Sequence, residues 1–72
     1  MMTTITITTE YIKLQDLLKF AAIASTGGEA KIMVQEGQVT VNGEVCTQRG
    51  RKIRPDDDVC ANGAHYTVSY AD

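Results

Sequence analysis

Two Asn-Gly dipeptides, Asn42-Gly43 and Asn62-Gly63, do most to limit what this chain can fold into. Both central positions of a type I′ turn need positive φ, which Asn-Gly tolerates, so each dipeptide between alternating apolar residues reads as a tight reversal between antiparallel strands. Val39 and Val41 lead into the first and Val45 leaves it, which predicts a hairpin over Val39 to Cys46. Val59 and Ala61 lead into the second, and Tyr66, Val68 and Tyr70 alternate after it.

The segment before these hairpins has other periods. Thr3 to Thr9 is rich in β-branched residues, with Ile5 and Ile7 on one face, and predicts a short strand whose threonine face meets solvent. From Tyr11 to Ala24 the spacing of Leu14, Leu17, Leu18 and Ala21 is that of a helix of two to three turns, with Gln15, Asp16 and Lys19 facing away. Phe20 and Ile23 are expected to widen its buried arc. Thr26 and Glu29 have capping-box spacing, which predicts a second helix with Ala30, Met33 and Val34 inward, ended by Gly37. Lys31 and Gln35 lie on another face of that helix, and Gly27-Gly28 is expected to allow a tight corner between the two helices. The order is β-α-α-β-β-β-β, an α+β domain with two helices beside a small antiparallel sheet. Its first strand, Thr3 to Thr8, is expected to run antiparallel to Ala64 to Tyr70.

Seventy-two residues, 1–72, make one domain with a small core and no room for a deep enclosed site. The first dozen residues lack the basic flank and apolar run of a signal peptide, and no stretch is long enough to span a membrane, so a cytoplasmic location is expected. Cys46 and Cys60 have neither metal spacing nor C-x-x-C spacing and read as reduced and structural. His65, the single histidine, has no acid beside it in sequence and reads as structural or surface. Asp56, Asp57 and Asp58 lack the twelve-residue spread and closing Glu of a helix-loop-helix calcium site, and read as a solvated turn. Gly27-Gly28 is followed by no Lys-Ser or Lys-Thr, so no phosphate loop is present, although the start of the second helix keeps N–H groups that attract anions. No catalytic residue, metal or cofactor is therefore expected.

Thr47 to Arg54, "TQRGRKIR", is different. Arg49, Arg51, Lys52 and Arg54 place four positive charges within six residues, in a chain whose net charge is -2. A partner that touches one face responds to the local field rather than the sum. Arginine forks suit phosphate oxygens, and Lys31, with Lys13 or Lys19 from the first helix, extends the same face if the fold brings them there. The tyrosines are scattered and form no stacking row, which favours recognition of a structured nucleic acid by shape and backbone over readout of unpaired bases. The alternative is a protein-interaction module that uses the same patch against an acidic partner.

Three stretches together, "LQDLLKF" (14–20), "GEAKIMVQEGQVTVNGEV" (28–45) and "RKIRPDDDV" (51–59), resemble the ribosomal protein S4-like RNA-binding domain, most closely its small stand-alone bacterial members. The resemblance implies a compact L-shaped motif at about 12–60, two helices followed by the Val-x-Val-Asn-Gly hairpin, which docks on structured RNA without catalysis. It further implies that Lys31, Arg49, Arg51, Lys52 and Arg54 meet phosphate, with Lys19 a lesser candidate, while Leu17, Leu18, Ala30, Met33, Val39 and Val41 hold the motif together. Ribosomal RNA or an assembly intermediate is the implied partner, and the protein is expected to be a monomer. Two departures stand out: Thr26-Gly27-Gly28 replaces a Ser-Arg pair whose arginine reaches RNA, and Pro55-Asp56-Asp57 replaces a Pro-Gly-Asp turn.

Overall fold

The computed structural model describes residues 2–71. The elements are β1 (Met2–Ile7), β2 (Ile12–Lys13), α1 (Leu14–Phe20), α2 (Gly27–Gln35), β3 (Val39–Val41), β4 (Glu44–Val45), β5 (Lys52–Ile53), β6 (Asp58–Ala61) and β7 (Ala64–Tyr70). Five strands form one sheet in the order β1-β7-β6-β3-β4, while β2 and β5 form a separate two-stranded ribbon. The α+β class and the main element order are those expected; the two-residue strands β2 and β5 are additions.

Both Asn-Gly turns have the expected backbone, with φ of 53° and 85° at Asn42 and Gly43, and 51° and 74° at Asn62 and Gly63. They close the antiparallel pairs β3–β4 and β6–β7, and β3 also runs antiparallel to β6. The expected antiparallel pairing of the first and last strands is not found: β1 runs parallel to β7, with Ile5 opposite Val68. Nearly the whole chain separates these strands, so no tight turn dictates their direction, and the helices supply the long crossover that a parallel pair requires. Ile5 and Val68 face the core, while Thr4 meets Thr67 at 3.2 Å and Thr6 meets Ser69 at 3.3 Å on the outer face.

The core is one cluster. Leu14, Leu17 and Leu18 of α1 and Ala30, Met33 and Val34 of α2 pack with Val39, Val41, Val59 and Val68 of the sheet. Ile53 of the ribbon joins them and is fully buried. Thr26 caps α2 as expected, its Oγ1 accepting from the Glu29 N–H at 3.1 Å. The helix corner does not depend on its two glycines: neither has positive φ, and a Cβ would meet nothing within 4 Å at Gly27 and only Thr26 Oγ1, at 3.8 Å, at Gly28.

The first helix is shorter at both ends than its apolar spacing implies. At its C-terminus Ala22 adopts φ 61°, the Ala22 N–H donates to the Lys19 carbonyl and the Ile23 N–H to the Leu18 carbonyl, both at 3.0 Å. That is a Schellman ending. Gly37 ends α2 in the same way, with φ 74° and bonds from Gly37 to Val34 and Gln38 to Met33, both at 3.1 Å. Glycine announces such a stop and alanine does not. One consequence corrects the reading of Phe20, which lies off the Leu14–Leu17–Leu18 stripe and is 67% exposed rather than buried. Ile23 does pack against the core, from the loop and not from the helix. Cys46 is buried and Cys60 exposed, both as free thiols, so a structural role fits Cys46 alone.

Three substitutions separate these roles in urea unfolding. Leu18→Ala should cost about 2–5 kcal/mol, because it empties a fully buried site. Phe20→Ala should stay within about 0.5 kcal/mol, as for other exposed positions. Ala22→Gly should stabilise by about 1 kcal/mol, because it removes the Cβ penalty of the left-handed backbone.

Candidate nucleic-acid interface

An α-helix begins with N–H groups that have no partner inside the helix. At the start of α1 the N-cap position is Lys13, whose side chain makes no capping bond. The basic loop supplies the acceptors instead: the Leu14 N–H donates to the Arg51 carbonyl and the Gln15 N–H to the Arg49 carbonyl, each at 2.9 Å. The loop carbonyls are turned toward the helix. Ile53 plugs the core beside them, paired with Ile12 across the ribbon. Arg49, Arg51, Lys52 and Arg54 are all exposed.

The other end of the loop is tied by the acidic run. Pro55 and Asp56 occupy the middle of a turn closed by the Asp57 N–H on the Arg54 carbonyl at 3.0 Å. Asp56 has φ 76°, the backbone that glycine usually supplies at the third position of a proline turn. The Asp57 carboxylate accepts from the Arg54 N–H at 2.8 Å and from the Asn42 side-chain amide at 3.0 Å. Asn42 in turn accepts from the Asp58 N–H at 2.9 Å. Asn42 therefore both forms the first hairpin turn and joins it to the end of the basic loop. Residue type and turn spacing showed only the first of these roles.

Among the described residues, none of Asp56, Asp57 and Asp58 forms an ion pair with the neighbouring cations. Asp57 is engaged by a backbone N–H and an amide, and Asp58 lies 3.4 Å from His65 Nε2. Among the described residues, no ion pair involves Lys31, Arg49, Arg51, Lys52 or Arg54. Lys19 differs, since it pairs with Asp16 at 3.5 Å. The loop brings Arg49, Arg51 and Lys52 to the start of α1 and Arg54 to the Asp57 turn, whereas Lys19 sits in the last turn of α1, about 7 Å further along the axis. Lys31 is exposed on α2. Lys13 stands directly opposite Lys52 in the ribbon. The Lys52 ammonium lies 5.0 Å from the centre of the Tyr11 ring, within cation–π range.

Acid–base chemistry finds little support elsewhere. His65 does have a carboxylate nearby, across the strands rather than in sequence, and Cys60 lies opposite it in the β6–β7 register. Its Nε2 is buried without a hydrogen bond, however, so the oriented base that a nucleophilic thiol needs is not formed. Among the described residues no helix is long and apolar enough to cross a membrane. Phe20 and Tyr70 are exposed aromatics on separate elements, not a stacking row.

The Asp57 tie is testable without any ligand. Asp57→Ala should cost about 0.5–1.5 kcal/mol, because it removes solvent-exposed bonds to the Arg54 N–H and to Asn42. Hydrogen exchange should show the Arg54 amide losing protection. An unchanged melting temperature and unchanged exchange would mean that the turn does not hold the loop.

Residues 5–69 match the family model described as S4 domain. The probable ribosome maturation protein RlbA of Bacillus subtilis (strain 168) is 42% identical over 59 residues, covering 82% of this chain and 83% of that protein. The putative RNA-binding protein YbcJ of Escherichia coli (strain K12) is 44% identical over 43 residues, covering 60% of this chain and 61% of the other. The solution structure of YbcJ from E. coli, described as revealing an αL motif involved in RNA binding, superposes with a TM-score of 0.69 at 35% identity, covering 90% of this chain and 84% of that one. The 30S ribosomal protein S4e from Thermoplasma acidophilum shares the fold, with a TM-score of 0.67 at 24% identity over 89% of this chain and 34% of its own.

Proposed function

The chain belongs to the S4 domain family, and we propose that it binds structured RNA without altering it, by gripping backbone phosphates. Arg49, Arg51, Lys52 and Arg54 of the loop and Lys31 of α2 are the contacts, with Lys19 a lesser one because Asp16 holds part of its charge. One observation carries the reading: four cations within six residues, none paired with a carboxylate among the described residues, on a loop whose backbone is tied to α1 at one end and to Asp57 at the other. Two relatives named for RNA binding and ribosome maturation support RNA as the partner, with ribosomal RNA or an assembly intermediate as its class. The protein would act as a cytoplasmic monomer and needs no cofactor for this.

A side chain that replaces a phosphate's counterion contributes about 0.7–0.9 to the slope of log affinity against log salt, so five contacts predict a slope of about -4. Binding to a short RNA duplex should then weaken about 10²-fold between 50 and 200 mM salt. Replacing Arg49 and Arg51 together by Gln should shrink the slope by about 1.5–2. Excess unrelated RNA should compete for the same face. If a folded acidic protein binds the patch and RNA in excess does not displace it, the protein-interaction reading replaces this one.

A further inference from the structure

The two-stranded ribbon contains an electrostatic conflict. Ile12 pairs with Ile53, and Lys13 with Lys52. Directly opposed residues in an antiparallel pair have Cβ atoms about 4.5–5.5 Å apart, and like charges there are destabilising. The lysines cannot slip away from each other, because a one-residue shift would turn Ile53, which is fully buried, out of the core. Nor does an ion pair among the described residues relieve the repulsion. No carboxylate among the described residues lies within 4.0 Å of either ammonium, and Asp16, the acid that follows Lys13 on α1, is turned to Lys19. Glu10 and Asp16 both border the same depression as Lys13 and Tyr11, and neither pairs with Lys13 or Lys52. Tyr11 precedes Lys13 by two residues and so shares its face, where its ring sits beneath the Lys52 ammonium.

We infer that Lys13 and Lys52 form a seat for one phosphate group, a backbone phosphodiester that enters between the two ammonium groups above Tyr11. A phosphate monoanion bridging two opposed cations that lack an ion-paired carboxylate offsets their repulsion and leaves one net positive charge, and Tyr11 holds one of the two in place. This places Lys13 in the binding face beside the loop. The ownership of the phosphate rests on the RNA-binding reading, but the anion seat does not.

The test has two arms, each on the full chain with wild type, Lys13→Gln, Lys52→Gln and the double variant. In the first, inorganic phosphate is titrated at constant ionic strength against chloride while amide shifts are followed. Saturable shifts at Lys13 and Lys52 are expected in the wild type and lost in each single variant. Their absence in the wild type, or their survival in Lys13→Gln, overturns the seat. In the second, affinity for a short RNA duplex is measured across salt. Each single variant should bind several-fold more weakly, the double variant should lose less than the product of the two, because the lysines share one phosphate, and the salt slope should shrink by about 1 in total. Losses that multiply would place the lysines on separate phosphates and overturn the seat. If wild type ignores RNA yet shows the saturable phosphate shifts, the RNA reading fails and the seat stands. If Lys13→Gln binds RNA as tightly as wild type, the seat fails and the RNA reading stands.

Discussion

The bonds from the Leu14 and Gln15 N–H groups to the Arg51 and Arg49 carbonyls join the two halves of the structure, and each half depends on them. A seven-residue helix is too short to persist alone, since isolated helices below about 12–15 residues are marginal even for good sequences. The basic loop would be an ordinary flexible segment without a fixed acceptor-to-donor match. Docked together, the helix gains the acceptors its first turn lacks and the loop gains a defined path. Turning the carbonyls of Arg49 and Arg51 toward α1 leaves their cationic side chains to the solvent. Ile53 secures the same junction from the core side.

The charge distribution follows from this junction. A chain of net charge -2 presents a cluster of cations that form no ion pair among the described residues, although acids lie close by. Asp57 accepts from a backbone N–H and from Asn42. Asp16 pairs within its own helix, and Asp58 faces His65. Asp57 therefore shapes the loop without forming an ion pair to its side chains, and the overall charge balance says little about how one face meets a polyanion.

Much of this was legible from residue pattern because local physics sets it. The Asn-Gly turns, the Thr26 cap and the Gly37 stop each arise from a few adjacent residues whose backbone preferences agree with the final fold. What was not legible depends on distant partners or on a residue acting against its preference. Ala22 ends α1 in a left-handed conformation that its type disfavours, so the helix looked longer and Phe20 looked buried. The parallel pairing of β1 with β7 joins opposite ends of the chain and leaves no local signature. The same holds at the candidate site. The basic run was plain in the sequence, but the acceptor role of its carbonyls, the Asn42–Asp57 link and the opposition of Lys13 to Lys52 exist only once α1 and the loop meet.

Preorganisation links these features to affinity. A flexible loop of arginines and lysines must give up backbone and side-chain freedom when it binds, and that ordering subtracts from whatever the phosphates contribute. Here the backbone part has been settled during folding, at the α1 junction and at the Asp57 turn. Only side chains remain to be ordered. A domain of this size has little stability to spare, yet it retains an alanine in a left-handed turn and two opposed lysines. The alanine has no evident relation to the basic face. The lysines stand beside the basic loop, and in the proposed phosphate seat their repulsion is offset by the bound anion, so a cost carried by the free protein would become a gain on binding.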